Sequence, residues 1–432
     1  MMNLIEVKKS KKPSRCRLIK SGIVIIIIIL MFICLLLMKI LLAQYVNTQT
    51  IKDVTSVEEN NQDSELLMQL PAITPEDRKI LEYVENDGFK EFYMTVDEIR
   101  WEYSKNKFVH AWAYNGQIPG PEIRVNEGDK LRIIVKNNLP YGKGTTIHWH
   151  GIRLTENEAD GVPGLQQYPI KPGETFIYEY TAKNAGTHFY HTHGSSDQDV
   201  AMQADMGLTG PLIVLPNDEN DIRHPAGYDR EYVFMLDEWE IDMASGENQA
   251  FNMISSTGEH VHGQGTGHNF NVFTINGRAF PDTETLLVKE GERVLIRLIN
   301  SGSAEIHPMH THGHAFKLIA IDGNLVPEVA QQMMDVISLH PGERRDIELI
   351  ADNPGVWLFH CHNEHHASGG MIMGFFYEGY EPCCMDGQDT EVHEHDDNHE
   401  HISNNCMSYT SEMKCETING CEWTMSMCME TN

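Results

Sequence analysis

At 432 residues the chain is long enough for two or three domains, each burying its own core. Lys and Arg number 33 against 63 Asp and Glu, a formal charge of -30, which argues against nucleic acid as a partner because phosphates demand a basic surface. Histidine, at 23, and methionine, at 22, are the composition outliers, and both side chains bind copper.

The chain begins with a basic segment, residues 1–22, carrying Lys8, Lys9, Lys11, Lys12, Arg15, Arg17 and Lys20. An apolar run over residues 23–43 follows, broken only by Lys39 near its end, and it just spans a bilayer. Leu41-Leu42-Ala43 is a poor match to a signal-cleavage site. An uncleaved transmembrane helix is therefore expected, with the basic end cytoplasmic and the rest of the chain extracellular or lumenal; secretion after cleavage is the alternative. Residues 44–79, polar and acidic, read as a stalk.

Residues 80–216 and 229–380 repeat one pattern. Trp112-Ala113-Tyr114-Asn115-Gly116 leads to Val125-Asn126-Glu127-Gly128-Asp129 and an alternating apolar run, and Phe273-Thr274-Ile275-Asn276-Gly277 leads to Val288-Lys289-Glu290-Gly291-Glu292 and another. Each copy continues through a His-x-His motif, a Pro-Gly-Glu turn (Pro172-Gly173-Glu174; Pro341-Gly342-Glu343) and a second His-x-His. Period-two apolar runs punctuated by Gly, Pro and Asn turns predict an all-β fold of two tandem Greek-key sandwiches, joined by the charged, turn-rich residues 217–228.

The histidines fall on this repeat. The first copy carries His148-Trp149-His150 and His191-Thr192-His193; the second carries His310-Thr311-His312 and His360-Cys361-His362. Alternate strand residues share a face, so both imidazoles of a pair can approach one cluster. Cys361, with His307, His366 and Met371 nearby in sequence, supplies a thiolate, imidazoles and a thioether, the donor set of a blue-copper site. Its neighbours His360 and His362 project the other way and can bind different ions. One isolated pair would carry little weight, but four at matching places in a duplicated domain exclude chance. Zinc has no use for a thiolate wired to a second site.

These motifs, His148-Trp149-His150-Gly151, His191-Thr192-His193, His307-Pro308-Met309-His310-Thr311-His312-Gly313 and His360-Cys361-His362 with His366 and Met371, resemble the four copper motifs of the multicopper oxidases, the laccase-like group. The resemblance covers residues 95–380 and implies cupredoxin-like domains and four coppers per functional unit. It implies that His307, Cys361 and His366 bind type 1 copper, with Met371 in the axial place, and that His148 and His310 bind type 2 copper. The type 3 pair would take His150, His191 and His362 on one ion and His193, His312 and His360 on the other. Asp160-Gly161, followed by Gln167-Tyr168-Pro169-Ile170, is similar to the family stretch whose aspartate donates protons near the cluster. About 110 residues between His193 and His307 leave no room for a third sandwich, so the chain resembles the two-domain branch, which assembles as a head-to-tail homotrimer.

The expected function is oxidation of a small reducing substrate, a phenol or aromatic amine, one electron at a time, coupled to reduction of dioxygen to water. The donor edge would be His307 or His366, Cys361 the exit for electrons and Asp160 the proton relay. The alternatives are a metal-ion oxidase for Cu(I), Fe(II) or Mn(II), with Met243, Met253, His260, His262 and His268 in a glycine-rich loop, and a copper-binding surface protein without turnover. His188, His314 and His365 flank the motifs without matching ligand positions. Residues 381–432 form a His- and Cys-rich tail, in which Cys383, Cys384, Cys406, Cys415, Cys421 and Cys428 suggest disulfides.

Overall fold

The computed structural model describes residues 70–73, 79–140, 142–195, 199–248, 250 and 269–380, together with the paired strands Cys421–Thr424 and Met427–Glu430. The expected transmembrane helix, most of the stalk, the loop of residues 251–268 and the remainder of the Cys-rich tail lie outside these residues. Among the described residues no helix is long and apolar enough to cross a membrane. Two residues assigned to the stalk, Ala72 and Ile73, instead form a short strand pairing in parallel with Arg100 and Trp101.

The fold is mostly β. In the first sandwich, one sheet runs Ala72–Ile73, Phe89–Ser104, Lys130–Asn137, Thr175–Thr181; the other runs Ile123–Asn126, Thr209–Leu215, Gly186–Thr192, Ile147–His150. In the second, Val272–Ile275, Arg230–Trp239, Arg293–Asn300, Arg344–Ile350 and Phe316–Ile321 lie in one sheet, and Leu286–Val288, Ile372–Tyr377, Val356–Cys361, His307–Thr311 and Val336–Leu339 form the facing one. Alternation closes each sandwich: Leu131, Ile133 and Val135 fill the first core, and Val294, Ile296 and Leu298 the second.

The repeat is physical as well as textual. Asn115-Gly116 and Asn276-Gly277 both take positive φ, as a tight hairpin turn requires. Asn115 Oδ1 accepts from Thr95 N–H and Asn276 Oδ1 from Met235 N–H, each at 2.8 Å. Asn137 and Asn300, both fully buried, tie the loops before the first His-x-His motifs to main-chain carbonyls: Asn137 Nδ2 donates to Lys143 and Ile170, and Asn300 Nδ2 to Glu305 and Leu339.

Two contacts fasten the sandwiches to each other. Phe189 and Ile213 of the first pack on Val233, Met235 and Ile299 of the second. Beside them a buried ionic network crosses the boundary: Arg297 Nε reaches Glu231 at 2.6 Å and its Nη1 reaches Asp346 at 3.2 Å, Thr187 donates to Asp346, and Arg124 bonds Glu231. Removing one partner would strand a buried charge, so the network holds a single orientation. The other fastening is the hairpin of Phe89–Ser104 and Lys107–Tyr114, whose outer face (Ile99, Trp101, Val109, Ala111) packs on Trp239, Ile241, Val272 and Ala279.

Candidate metal centre

Strand alternation sorts the donor atoms. In His307–Thr311, His307, Met309 and Thr311 are buried while His310 is half-buried on the other face; in Val356–Cys361 the same alternation buries Cys361 and turns His360 outward. Register places Met309 opposite Cys361 and His310 opposite His360. The inward side chains thus belong to one site and the outward ones to another.

At the inward site, His307 Nδ1 lies 3.1 Å from His366 Nδ1, and Cys361 Sγ lies 3.5 Å from His366 Nδ1 and 4.0 Å from His307 Nδ1. His366 is carried on the short helix Glu364–Ser368, capped by Asn363, whose side chain accepts from His365 N–H. Phe273 stacks on His366 with centroids 4.2 Å apart. Met371 is wholly buried in the same core as Cys361, and its main chain bonds both Cys361 and His366. Burial pushes the Cys361 thiol up to about 12 and His366 down to about 4. A thiol this hard to ionise, facing neutral imidazole nitrogens, suits a soft cation that takes the proton's place.

His307 is fully buried, and its Nε2 lies 3.1 Å from the buried Glu238, whose carboxylate also accepts from Ala304 and Glu305 N–H at 2.9 and 3.0 Å. The expectation that either His307 or His366 offers an open edge is thereby corrected: His307 is sealed by Glu238. His366, 2% exposed, has the Asn363 amide at 3.0 Å and the Glu305 carboxylate at 3.6 Å from its Nε2, so any approach to it passes these groups.

The outward imidazoles form two sets. His148, His150 and His191 present ring atoms within 4.8 Å of one another, with the His193 ring tilted beside His191; His310, His312 and His360 do likewise, with His362 beside His310 and His360. Among the described residues, every ring contact between these imidazoles lies within one set. What the second sandwich brings near His150 is a turn: a Cβ at Gly342 would lie 3.1 Å from His150 Cε1.

Hydrogen bonds fix the tautomers. Nδ1–H of His148 donates to the Asp160 carbonyl, of His191 to Thr192, of His310 to Asp335 and of His360 to Cys361, at 2.8–2.9 Å. A carbonyl only accepts, so Nε2 carries no proton on any of the four and can serve a metal ion; that of His360 faces His312 Nε2 at 2.9 Å and that of His191 faces His150 Nδ1 at 3.4 Å. Burial pushes His150 down to about 2 and His191 to about 3, and lowers His312 and His360; Arg344 adds to the effect on His150. The donor set fits copper: nitrogen donors in two cages and a sulfur-nitrogen site one residue away.

Asp160 adjoins the first cage, with Oδ1 3.3 Å from His148 Nδ1. Gly161 makes this possible: a Cβ there would lie 1.8 Å from the Ile147 carbonyl. Among the described residues His188, His314 and His365 join none of the donor groups; their Nε2 atoms pair with the Asn184 carbonyl, Tyr377 hydroxyl and Phe270 carbonyl. Met243 sits in the turn of a hairpin, Ile241–Asp242 with Glu247–Asn248, while Met253, His260, His262 and His268 lie outside the described residues. Glu238 was missed from sequence. Its signal was a pair of acids, Asp237 and Glu238, following the buried apolar run Val233-Phe234-Met235-Leu236.

Comparisons with known proteins agree with this geometry. Family models described as multicopper oxidase match residues 95–219 and 251–379. The structure is similar to the blue copper oxidase of Nitrosomonas europaea, with 33% identity, 67% of this chain and 86% of that one covered, and a TM-score of 0.57. The chain belongs to the multicopper oxidase family, a class of copper-dependent oxidoreductases. It is 33% identical over 251 residues to dihydrogeodin oxidase of Aspergillus terreus, covering 55% of this chain but only 38% of that protein. Against the multicopper oxidase mco of Staphylococcus aureus it is 24% identical, with 67% of this chain and 88% of that protein covered.

Proposed function

We propose that the chain is a laccase-like oxidase that takes single electrons from a small phenol or aromatic amine and delivers them to dioxygen, yielding water. The observation that carries this reading is the position of Cys361. Its sulfur faces His307 and His366, while its main chain joins His360 and His362 directly and its carbonyl holds His360 Nδ1–H. Copper held at these donors would supply one-electron steps and a place for dioxygen reduction. His307, Cys361, His366 and Met371 would hold type 1 copper, His148 and His310 type 2, and His150, His191, His193, His312, His360 and His362 the type 3 pair.

The chain's own groups do the rest. Glu238 fixes the His307 tautomer, Asn363 and Glu305 border the His366 edge where substrate docks, and Asp160 relays protons beside His148. Because the imidazole contacts stay within two separate sets, and a buried ionic network fixes the sandwiches, we place each complete cluster between the first sandwich of one chain and the second of another, in a homotrimer. The apolar residues 23–43 would anchor it with the catalytic part outside the cytoplasm. Mixing a His148→Ala/His150→Ala chain with a His310→Ala/His312→Ala chain tests this: co-assembly should restore part of the phenol-dependent oxygen uptake that each lacks alone. No uptake by the wild-type chain would exclude the oxidase, and a fully active monomer would exclude shared clusters.

A further inference from the structure

Asp160 adjoins the first cage, but residues before and after it, Ala159 and Gln166 to Ile170, line a cavity of about 890 Å³ whose other wall is the strand Thr175–Thr181. That strand is the edge of its sheet and pairs only with Lys130–Asn137, so the cavity runs beside main chain that no neighbouring strand covers. No histidine of either cage lines it. Its volume is that of a small-molecule site. Four carboxylates, of Glu156, Glu158, Glu174 and Glu179, stand in the lining against one amine, that of Lys130, which disfavours an anion. Acidic groups alone make no site, but the buried part of this wall is polar and unsatisfied. Tyr180 is 2% exposed, and among the described residues its hydroxyl has no hydrogen-bond partner. Gln167 is 9% exposed; its Nε2 donates to the Tyr168 carbonyl at 3.2 Å, which leaves Oε1, also without a partner, as a bare acceptor. Buried polar atoms without partners are costly unless something meets them. Both of these oxygens accept, so what they lack is a donor.

We propose that this cavity binds an organic cation whose N–H groups are carried on an aromatic body, of the arylalkylammonium class, at a site separate from the copper donors. The ammonium donates to the Tyr180 hydroxyl and Gln167 Oε1, and the ring lies against Tyr168 and Phe176, which also line the cavity. Glu158 supplies the uncompensated charge. Glu179 is held by Arg132, Glu174 accepts from Lys171 N–H and Glu156 from the Thr155 hydroxyl, whereas Glu158 is bonded to no described group. All of these groups belong to the first sandwich, while the sulfur-nitrogen site belongs to the second, so the cation is a ligand and not an electron donor.

The test is calorimetry on the full chain in mild detergent, both copper-loaded and stripped with a chelator, titrated with phenethylammonium. One equivalent should bind per chain in both forms, because no metal donor takes part. Benzyltrimethylammonium, with the charge and the ring but no N–H, should bind about ten-fold more weakly or worse, and phenylacetate should not bind. Tyr180→Phe should weaken phenethylammonium about ten-fold, the loss of one hydrogen bond to a charged group, and should melt like the wild type because it removes only an unpaired oxygen. Glu158→Gln, at an exposed position that the fold does not need, should weaken binding about three-fold at low salt and less at high salt. No saturable binding to the wild type, equal binding of the two cations, or wild-type affinity in either variant would overturn the proposal. Binding confined to the copper-loaded chain would overturn it by moving the ligand to the metal centre. A lysine-rich extended peptide that binds where phenethylammonium does not would also overturn it, in favour of strand addition at the edge Thr175–Thr181.

Discussion

Replacing Glu238 by glutamine exchanges one oxygen for an amide nitrogen, yet the structure gives that amide no satisfactory orientation. The carboxylate accepts three hydrogen bonds, from Ala304 N–H, Glu305 N–H and His307 Nε2–H. If the glutamine oxygen keeps the two main-chain donors, its NH2 faces His307, whose proton must then move to Nδ1, the atom that points at Cys361 and His366. If the oxygen turns to His307, two buried N–H groups face a donor, at about 1–3 kcal/mol each. Either way the site loses: copper affinity at the sulfur-nitrogen site should fall about 10- to 100-fold, the usual effect of removing a partner behind a ligating histidine. Copper titration of the variant, followed by the visible thiolate-copper absorption with thermal melting in parallel, measures both. Wild-type affinity together with wild-type melting would refute the tautomer argument.

Two further outcomes are expected. Cys361→Ser should abolish the visible absorption completely while the second sandwich stays folded, because that core rests on its many apolar side chains and the colour on one thiolate; circular dichroism and absorption spectra check both. Asp205, buried at the boundary of the sandwiches, has its carboxyl pushed up to about 8 by burial, against an ordinary value near 4. The folded state therefore holds a proton that the unfolded chain has already released, and stability falls as pH rises from about 4 to 8, by at most on the order of 6 kcal/mol at about 1.4 kcal/mol per pH unit. Asp205→Asn should remove this loss, so its advantage over the wild type in urea unfolding should grow across that interval; a constant difference would contradict the assignment.

What was legible in the sequence was whatever repeats at the strand period. The His-x-His pairs could be assigned to one face each, and Cys361 separated from His360, because alternation is local. The groups that seal the site were not legible. Glu238 meets His307 across 69 residues, and the burial of His307, which closes an edge the sequence left open, depends on how that strand packs. The same holds for the sandwich boundary: Arg297, Glu231 and Asp346 lie far apart in sequence and meet only where three strands bring them together.

The strand Phe89–Ser104, at 16 residues, does double duty. Its early part pairs with Lys130–Asn137 in the first sandwich, and its far end is stitched into the second, Trp101 Nε1–H donating to the Gly277 carbonyl at 2.7 Å and Ser104 to Asp282 at 2.7 Å. The covalent connection at Asn217 to Asn220, by contrast, is exposed. A protease that nicks this segment would sever the polypeptide without parting the sandwiches. The nicked molecule would run as two bands once denatured, yet in its native state it would keep its spacing between copper sites, so wear at the surface need not become loss of the enzyme.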